Sequence, residues 1–174
     1  EIGFPHQHVR GMKGYNGVAI LARTPLSDGG SRDWCAREDC RHVAADIGSK
    51  VELHNFYVPA GGDEPVPKIN EKFAHKLGFL KEAEAWSREL SLHGKRILVG
   101  DLNIAPHEND VWSHKQLLKV VSHTPVEVDG LAAWQAGHGW VDAIRSVIPE
   151  DQKIYSWWSY RNRSWPGSDR GRRL

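Results

Sequence analysis

An α/β fold is predicted by three features of the sequence: two alternating segments meeting at a glycine, a long run of apolar residues at helical spacing, and a short apolar run just after it. The alternating segments are residues 41–47, with Val43, Ala45 and Ile47, and residues 50–57, with Val51 and Leu53, joined at Gly48-Ser49. Period-two alternation suits half-buried strands, and a two-residue glycine connection suits a hairpin. Upstream, Val18-Ala19-Ile20-Leu21 closed by Thr24-Pro25 reads as a strand over residues 17–23, and the polar stretch 27–39 reads as a loop. Between residues 68 and 93, Ile69, Phe73, Leu77, Leu80, Ala83, Trp86 and Leu90 recur in steps of three and four before Gly94, which predicts an amphipathic helix. Ile97-Leu98-Val99 then fits a buried strand ending at Gly100-Asp101, and a helix feeding a buried strand is the α/β pattern. Thr124-Pro125-Val126-Glu127 has the form of a capping box with proline at the first helical position, so a helix is predicted to about Ala136 with Gly137 as its stop. Residues 140–147 are predicted to form a further short helix.

The length of 174 residues suits a single domain over residues 1–174. Hydrophobic residues make up 40% and charged residues 26%, which is folded-domain composition and excludes a disordered or collagen-like chain. No apolar run approaches the length of a membrane-spanning helix, and neither a membrane partner nor a secretory leader is expected. Two cysteines, Cys35 and Cys40, are too few for a disulfide scaffold and are expected to be free thiols of a cytoplasmic protein. With His42 they offer three ligand types but no fourth at zinc-site spacing. The net charge of +1 selects no partner by itself, so the distribution of charge carries the information.

Three sites carry chemistry. At Gly100-Asp101-Leu102-Asn103-Ile104-Ala105-Pro106, a strand delivers a carboxylate and an amide at its carboxyl end, where α/β folds build their sites. Asp101 and Asn103 suit a divalent cation or an oriented water, although the same residues also serve a plain chain turn. No Gly-x-x-x-x-Gly-Lys-Ser/Thr segment occurs, which disfavours a nucleotide triphosphatase. At Asn55-Phe56-Tyr57-Val58-Pro59, the Tyr57 phenol sits at another strand end, placed either for proton donation or simply for packing. Lys13-Gly14-Tyr15-Asn16-Gly17 frames an aromatic and an amide between glycines, a form that permits close approach to a phosphate or makes an ordinary turn. Beyond these, residues 155–173 interleave Tyr155, Trp157, Trp158, Tyr160 and Trp165 with Arg161, Arg163, Arg170, Arg172 and Arg173. Arginines pair with phosphates and aromatic faces stack on bases, so this end reads as a nucleic-acid surface, the alternative being a Trp-rich core edge with a solvated arginine face.

Taken in order, Lys13-Gly14-Tyr15-Asn16-Gly17-Val18-Ala19-Ile20, Asn55-Phe56-Tyr57-Val58-Pro59, Gly100-Asp101-Leu102-Asn103-Ile104-Ala105-Pro106, Trp140-Val141-Asp142 with Arg145, Tyr155-Ser156-Trp157-Trp158 and Arg170-Gly171-Arg172-Arg173-Leu174 resemble the exonuclease III family of AP endonucleases, within the endonuclease/exonuclease/phosphatase superfamily. The resemblance implies a two-sheet α/β sandwich of that type, acting as a monomer on double-stranded DNA. It implies cleavage 5′ to abasic sites and removal of 3′ nucleotides or 3′ blocking groups in DNA repair, with Mg²⁺ or Mn²⁺. By motif, Asp101 resembles the residue that activates the attacking water and Asn103 the one that orients it, both being candidate metal ligands. Tyr57 resembles the tyrosine that contacts the phosphate, and Tyr15, Asn16 and Trp157 resemble DNA-facing positions. Lys13, Arg161 and Arg170 complete the expected DNA-binding set.

The chain departs from that pattern at both ends. The family's metal-site Asn and Leu-Gln-Glu segment do not occur before Lys13, and its Asp after Arg-x-Arg-Leu and its Ser-Asp-His segment are not matched. Ser168-Asp169-Arg170 lies upstream of Arg172-Arg173-Leu174 and has arginine where histidine belongs, and Ala60 replaces the amide many members carry. The chain therefore corresponds to the middle part of such a domain, incomplete at both ends, and is expected to be weak or inactive alone. Two other classes remain open: a non-catalytic DNA-binding module, and a superfamily phosphoesterase acting on a non-nucleic substrate.

Overall fold

The alternation around Gly48 becomes the centre of a four-stranded sheet. A computed structural model describes residues 3–48, 50–159, 161 and 163–174. The chain divides into two units, Glu1–Val58 with Ser91–Leu102, and Pro59–Leu90 with Asn103–Leu174. All described strands belong to the first and all described helices to the second.

In the first unit, β1 (His6–Gly11) and β2 (Gly17–Ala22) pair antiparallel as one sheet. The second sheet runs β3 (Leu26–Asp28), β4 (His42–Ile47), β5 (Val51–Tyr57) and β6 (Lys95–Asp101) in that order, antiparallel except for the parallel β5–β6 pair. The expected hairpin is present, but with Ile47 opposite Val51 its connection is residues 48–50, three residues rather than two, and Ser49 lies outside the described residues. Val18, Ile20, Val43 and Ala45 form this unit's apolar centre, with Leu26, Leu53 and Tyr57 packed around it. Full burial of a Val or Ile side chain contributes about 1.5–3 kcal/mol. Two expectations are corrected here. Residues 26–28 are a strand, because Leu26 to Asp28 pair with Ile47 to Ala45 of β4. β6 is not buried: Ile97 is 47% and Val99 43% exposed, since β6 ends the strand order and one of its faces is open among the described residues.

In the second unit, α1 (Glu71–Glu89) starts later than its apolar spacing suggests. Asn70 is its cap, its Oδ1 accepting from the Lys72 and Phe73 amides, and Ile69 is left exposed before it. The helix buries Phe73, Lys76, Phe79, Leu80, Ala83, Trp86 and Ser87. α2 (His114–Leu117) is a single turn. α3 (Pro125–His138) opens on the expected capping box, with the Thr124 hydroxyl donating to Glu127 at 2.6 Å. Gly137 does not stop α3, however. Its bare Cα lets the helix approach α1, since a Cβ there would stand 3.2 Å from the Glu84 carbonyl oxygen, and the left-handed Gly139 (φ 72°) ends the helix instead. Residues 140–147 form turns rather than the expected helix: Asp142 Oδ1 accepts the Ile144 and Arg145 amides as a helix cap does, but Pro149 follows too soon for the turns to extend. α4 (Trp165–Ser168) is a short turn near the end.

Ala105, Val111 and Leu117 make one apolar cluster of this unit, with Trp112, Val120 and Leu174 against it. Beside it Asp110, fully buried, accepts from Arg145 at 2.5 Å and from both Arg173 Nε and Nη2 at 2.8 Å. No described helix is long and apolar enough to cross a membrane.

Candidate active site and nucleic-acid interface

The parallel pairing of β5 and β6 puts Tyr57 and Asp101 in register at the carboxyl ends of neighbouring strands. The Val58 amide then donates to the Asp101 carbonyl at 2.9 Å, locking the two strand ends together. Gly100 makes this closeness possible: its φ of 130° favours glycine, and it lies directly against Phe56. Asp101 is exposed, whereas Tyr57 is half-buried against the first unit's core. Tyr57 is held on two sides by Arg41, whose guanidinium lies 4.9 Å over the phenol ring and donates to the Tyr57 carbonyl at 3.1 Å. Asp39 in turn pairs with that guanidinium. The result is a solvent-facing carboxylate and a restrained phenol at neighbouring strand ends, the residue types for accepting a proton from water and contacting a phosphate.

Lys13, Tyr15 and Asn16 occupy the turn between β1 and β2. Lys13 is exposed, Tyr15 is 89% exposed, and the Asn16 carbonyl accepts the Met12 amide at 3.2 Å. Asn16 Oδ1 is buried and accepts no hydrogen bond among the described residues. An aromatic ring as exposed as that of Tyr15 suits stacking on a ligand.

Asn103 belongs to the second unit, one residue beyond the end of the first. It sits at φ 53°, a left-handed position that Asn tolerates, and its carbonyl accepts from Lys76 Nζ at 2.8 Å. Two residues on, the Ala105 amide donates to the Ser122 carbonyl at 2.8 Å and the Ala105 carbonyl accepts from His123 Nδ1 at 2.7 Å. That acceptor fixes the His123 tautomer, so its Nε2 faces His114 Nδ1, 2.8 Å away, as the acceptor. Burial pushes His123 below the ordinary histidine range, against the opposing hydrogen bond to Ala105.

Trp157 is fastened by a reciprocal backbone pair with Arg172, each amide donating to the other's carbonyl at 2.9 Å, and the Arg172 guanidinium lies 5.8 Å from its ring centre. Arg170 is stacked 4.7 Å over Trp112. These two indole–guanidinium pairs line a pocket of about 590 Å³, together with Leu117, Trp158, Ser159 and Ser168. Trp157 and Arg170 thus line one pocket. Arg161 is an exposed turn residue and is not among the lining residues; Tyr160, Asn162 and the side chain of Trp165 lie outside the described part. Sequence reading missed Trp112, which no local signal marks, and Lys76 and Arg41, whose roles depend on partners distant in the chain.

A divalent cation takes six or more oxygen ligands. Asp101 and Asn103 supply one carboxylate and one amide, and among the described residues no group of three or more His, Cys, Asp or Glu is placed to hold a metal ion. The residues present do not by themselves fit such an ion. Cys35 and Cys40 are half-buried, and His42 is buried against His54.

The Endonuclease/Exonuclease/phosphatase family pattern matches residues 2–172. The DNA repair nuclease APEX1 of Danio rerio is 27% identical over 163 residues, which are 90% of this chain and 50% of that protein. An AP endonuclease from Archaeoglobus fulgidus superposes with a TM-score of 0.83 at 28% identity, over 99% of this chain and 65% of that one. A variant of the 3′ phosphatase NExo from Neisseria, bound to a product DNA hairpin, superposes with a TM-score of 0.83 at 26% identity, over 99% and 65%. The chain thus spans about half the length of the zebrafish protein.

Proposed function

Because this chain belongs to the Endonuclease/Exonuclease/phosphatase family, whose pattern covers residues 2–172, we propose that it contributes to a DNA repair phosphodiesterase. The proposed enzyme cleaves duplex DNA 5′ to abasic sites and removes 3′ nucleotides or 3′ blocking groups. The observation that carries this reading is the register of Tyr57 with Asp101, a phenol and a carboxylate at adjacent strand ends, followed in the chain by Asn103.

In this reading Asp101, exposed and a proton acceptor in its ionised form, takes the proton of the attacking water. Asn103 supplies an amide that orients the water and donates to the developing charge. Tyr57, restrained by Arg41, donates to a phosphate oxygen. Lys13, Tyr15 and Asn16 in the first unit, and Trp157, Arg161 and Arg170 in the second, contact the duplex. Arginines hold the backbone while indoles stack on unpaired nucleotides. Mg²⁺ or Mn²⁺ belongs to the proposal and, if bound, would supply a Lewis acid for the phosphoryl oxygen, with ligands needed beyond those this chain brings together. Asp101 and Asn103 are its proposed ligands, short of a full set as described. A single-domain, monomeric and cytoplasmic protein is part of the same reading.

The test is incision of an end-labelled duplex containing one abasic-site analogue, with Mg²⁺ or with chelator. It compares this chain with a chimera carrying the terminal segments of the Archaeoglobus relative. Cleavage 5′ to the lesion by the chimera, abolished by chelator and by Asp101→Asn, is the expected result. Binding of the duplex without cleavage by either protein would replace this reading with a DNA-binding module. Cleavage of a non-nucleic phosphate ester alone would replace it with another phosphoesterase.

A further inference from the structure

Lys76 is a lysine where a leucine would be expected. It lies in the buried stripe of α1, three residues after Phe73 and four before Leu80, and its side chain is completely inaccessible. A buried ammonium is unfavourable unless it is paired and every donor is satisfied. Glu127 of α3, equally inaccessible, provides the opposite charge at 2.5 Å.

An ammonium has three N–H donors, and a counter-ion needs only one of them. The other two point at main-chain carbonyls, that of Asn103 at 2.8 Å and that of Ala60 at 3.3 Å. Both carbonyls lie outside any helix or strand. Ala60 follows Tyr57 by three residues and Asn103 follows Asp101 by two, so the ammonium grips the first turns of both segments that leave the candidate catalytic strands. Glu127 is itself held in place, its two carboxylate oxygens accepting the Ser122 amide at 2.9 and 3.0 Å. Ser122 then accepts the Ala105 amide on its carbonyl. The polar atoms of residues 103 and 105 are thereby referred to one buried charge pair.

We propose that Lys76 is the positioning residue of the Asn103 segment: its ammonium, neutralised by Glu127, fixes the Asn103 and Ala60 carbonyls and so sets where the Asn103 amide is presented. This rests on the proposed role of Asn103 and adds the element that holds it. A leucine at this position would pack, but would leave the two carbonyls and the Glu127 carboxylate without this donor. The pair is kept for geometry that an apolar pair cannot supply.

The test begins with the unmodified chain, labelled with ¹³C and ¹⁵N. NMR is expected to show Lys76 ammonium protons protected from solvent, with couplings through the hydrogen bonds to the carbonyl carbons of Asn103 and Ala60. A folded protein whose Lys76 ammonium exchanges freely and shows neither coupling overturns the proposal. The second step replaces the pair together, Lys76→Met with Glu127→Gln, which removes both charges and leaves no buried ion of the pair behind. The α1 and α3 amide signals are expected to stay in place while the Asn103 side-chain amide broadens or doubles. An unchanged Asn103 signal in the folded variant overturns the proposal, and if the variant does not fold, the couplings in the unmodified chain decide. Where the chimera cleaves DNA, the paired replacement in it is expected to lower kcat about 100-fold with KM for duplex nearly unchanged. A shift in KM alone counts against positioning. Absence of cleavage by the chimera refutes the functional reading and leaves the NMR result to decide the positioning claim.

Discussion

Gly100 lies so close to Phe56 that a methyl group on its Cα would overlap the Phe56 carbonyl oxygen. The obstruction is backbone, so no rotamer change relieves it, and the φ of 130° at Gly100 adds strain for any L side chain. Gly100→Ala is expected to destabilise the first unit by about 3 kcal/mol or more, combining strain and overpacking. Urea unfolding followed by tryptophan fluorescence measures it. A loss below about 1 kcal/mol would mean that the strand ends can separate without cost.

Asp101→Asn keeps the size of the side chain and removes the proton acceptor. Cleavage by the active chimera is expected to fall about 100-fold or more, with duplex affinity unchanged. Tyr57→Phe should cost less, because only one donor to the phosphate is lost. Incision rates and gel-shift titrations on the same preparations separate the two effects. Equal losses of rate and affinity for Asp101→Asn would assign it to DNA binding.

Trp157→Ala is expected to weaken binding of single-stranded or gapped DNA by about 1–3 kcal/mol without changing its salt dependence, since stacking releases no counter-ions. Arg170→Ala should instead lower the slope of log affinity against log salt by about one unit. Affinity measured at four salt concentrations distinguishes them, and a pocket that does not meet DNA would leave both slopes and affinities where they were.

His42 is buried with His54 at 3.1 Å, and burial first, then His54, Arg10 and Arg32, hold it down from 6.5 to about 3. In the unfolded chain it takes a proton near 6.5, so between that value and about 3 the unfolded state binds more protons than the folded one. Stability is therefore full above 6.5 and declines as the pH falls through this window, by up to about 1.4 kcal/mol per pH unit from this group. His42→Phe should flatten that decline in urea midpoints measured from pH 7 to pH 4. An unchanged slope would place the acid sensitivity elsewhere.

Much of this architecture was readable because its signals are local. The hairpin around Gly48, the apolar stripe of α1 and the Thr124–Glu127 cap each lie within a few residues of chain, and the Gly-Asp-Leu-Asn run announced the strand end that β6 makes at Asp101. What escaped reading depends on partners far away in sequence. His6–Gly11 has little apolar alternation and is a strand only through pairing with β2. Gly137 resembles a helix stop until α1 is placed against it. Lys76 reads as an interruption of an apolar face until Glu127, 51 positions on, supplies its counter-charge. The Trp157 pocket was legible as composition, but Arg170 meets Trp112 only in three dimensions.

Asp110 and Arg173 are 63 positions apart in the chain, and that separation has a consequence in time. At synthesis rates of about 5–20 residues per second, the carboxylate waits roughly 3–13 s between its own addition and that of the second arginine of its network. Until then Arg145, 35 positions on, is the cation that answers Asp110, and the Arg173 arm of the network is still to come. The last arm of this ion-pair network can therefore form only once residue 173 has been added, a delay set by translation.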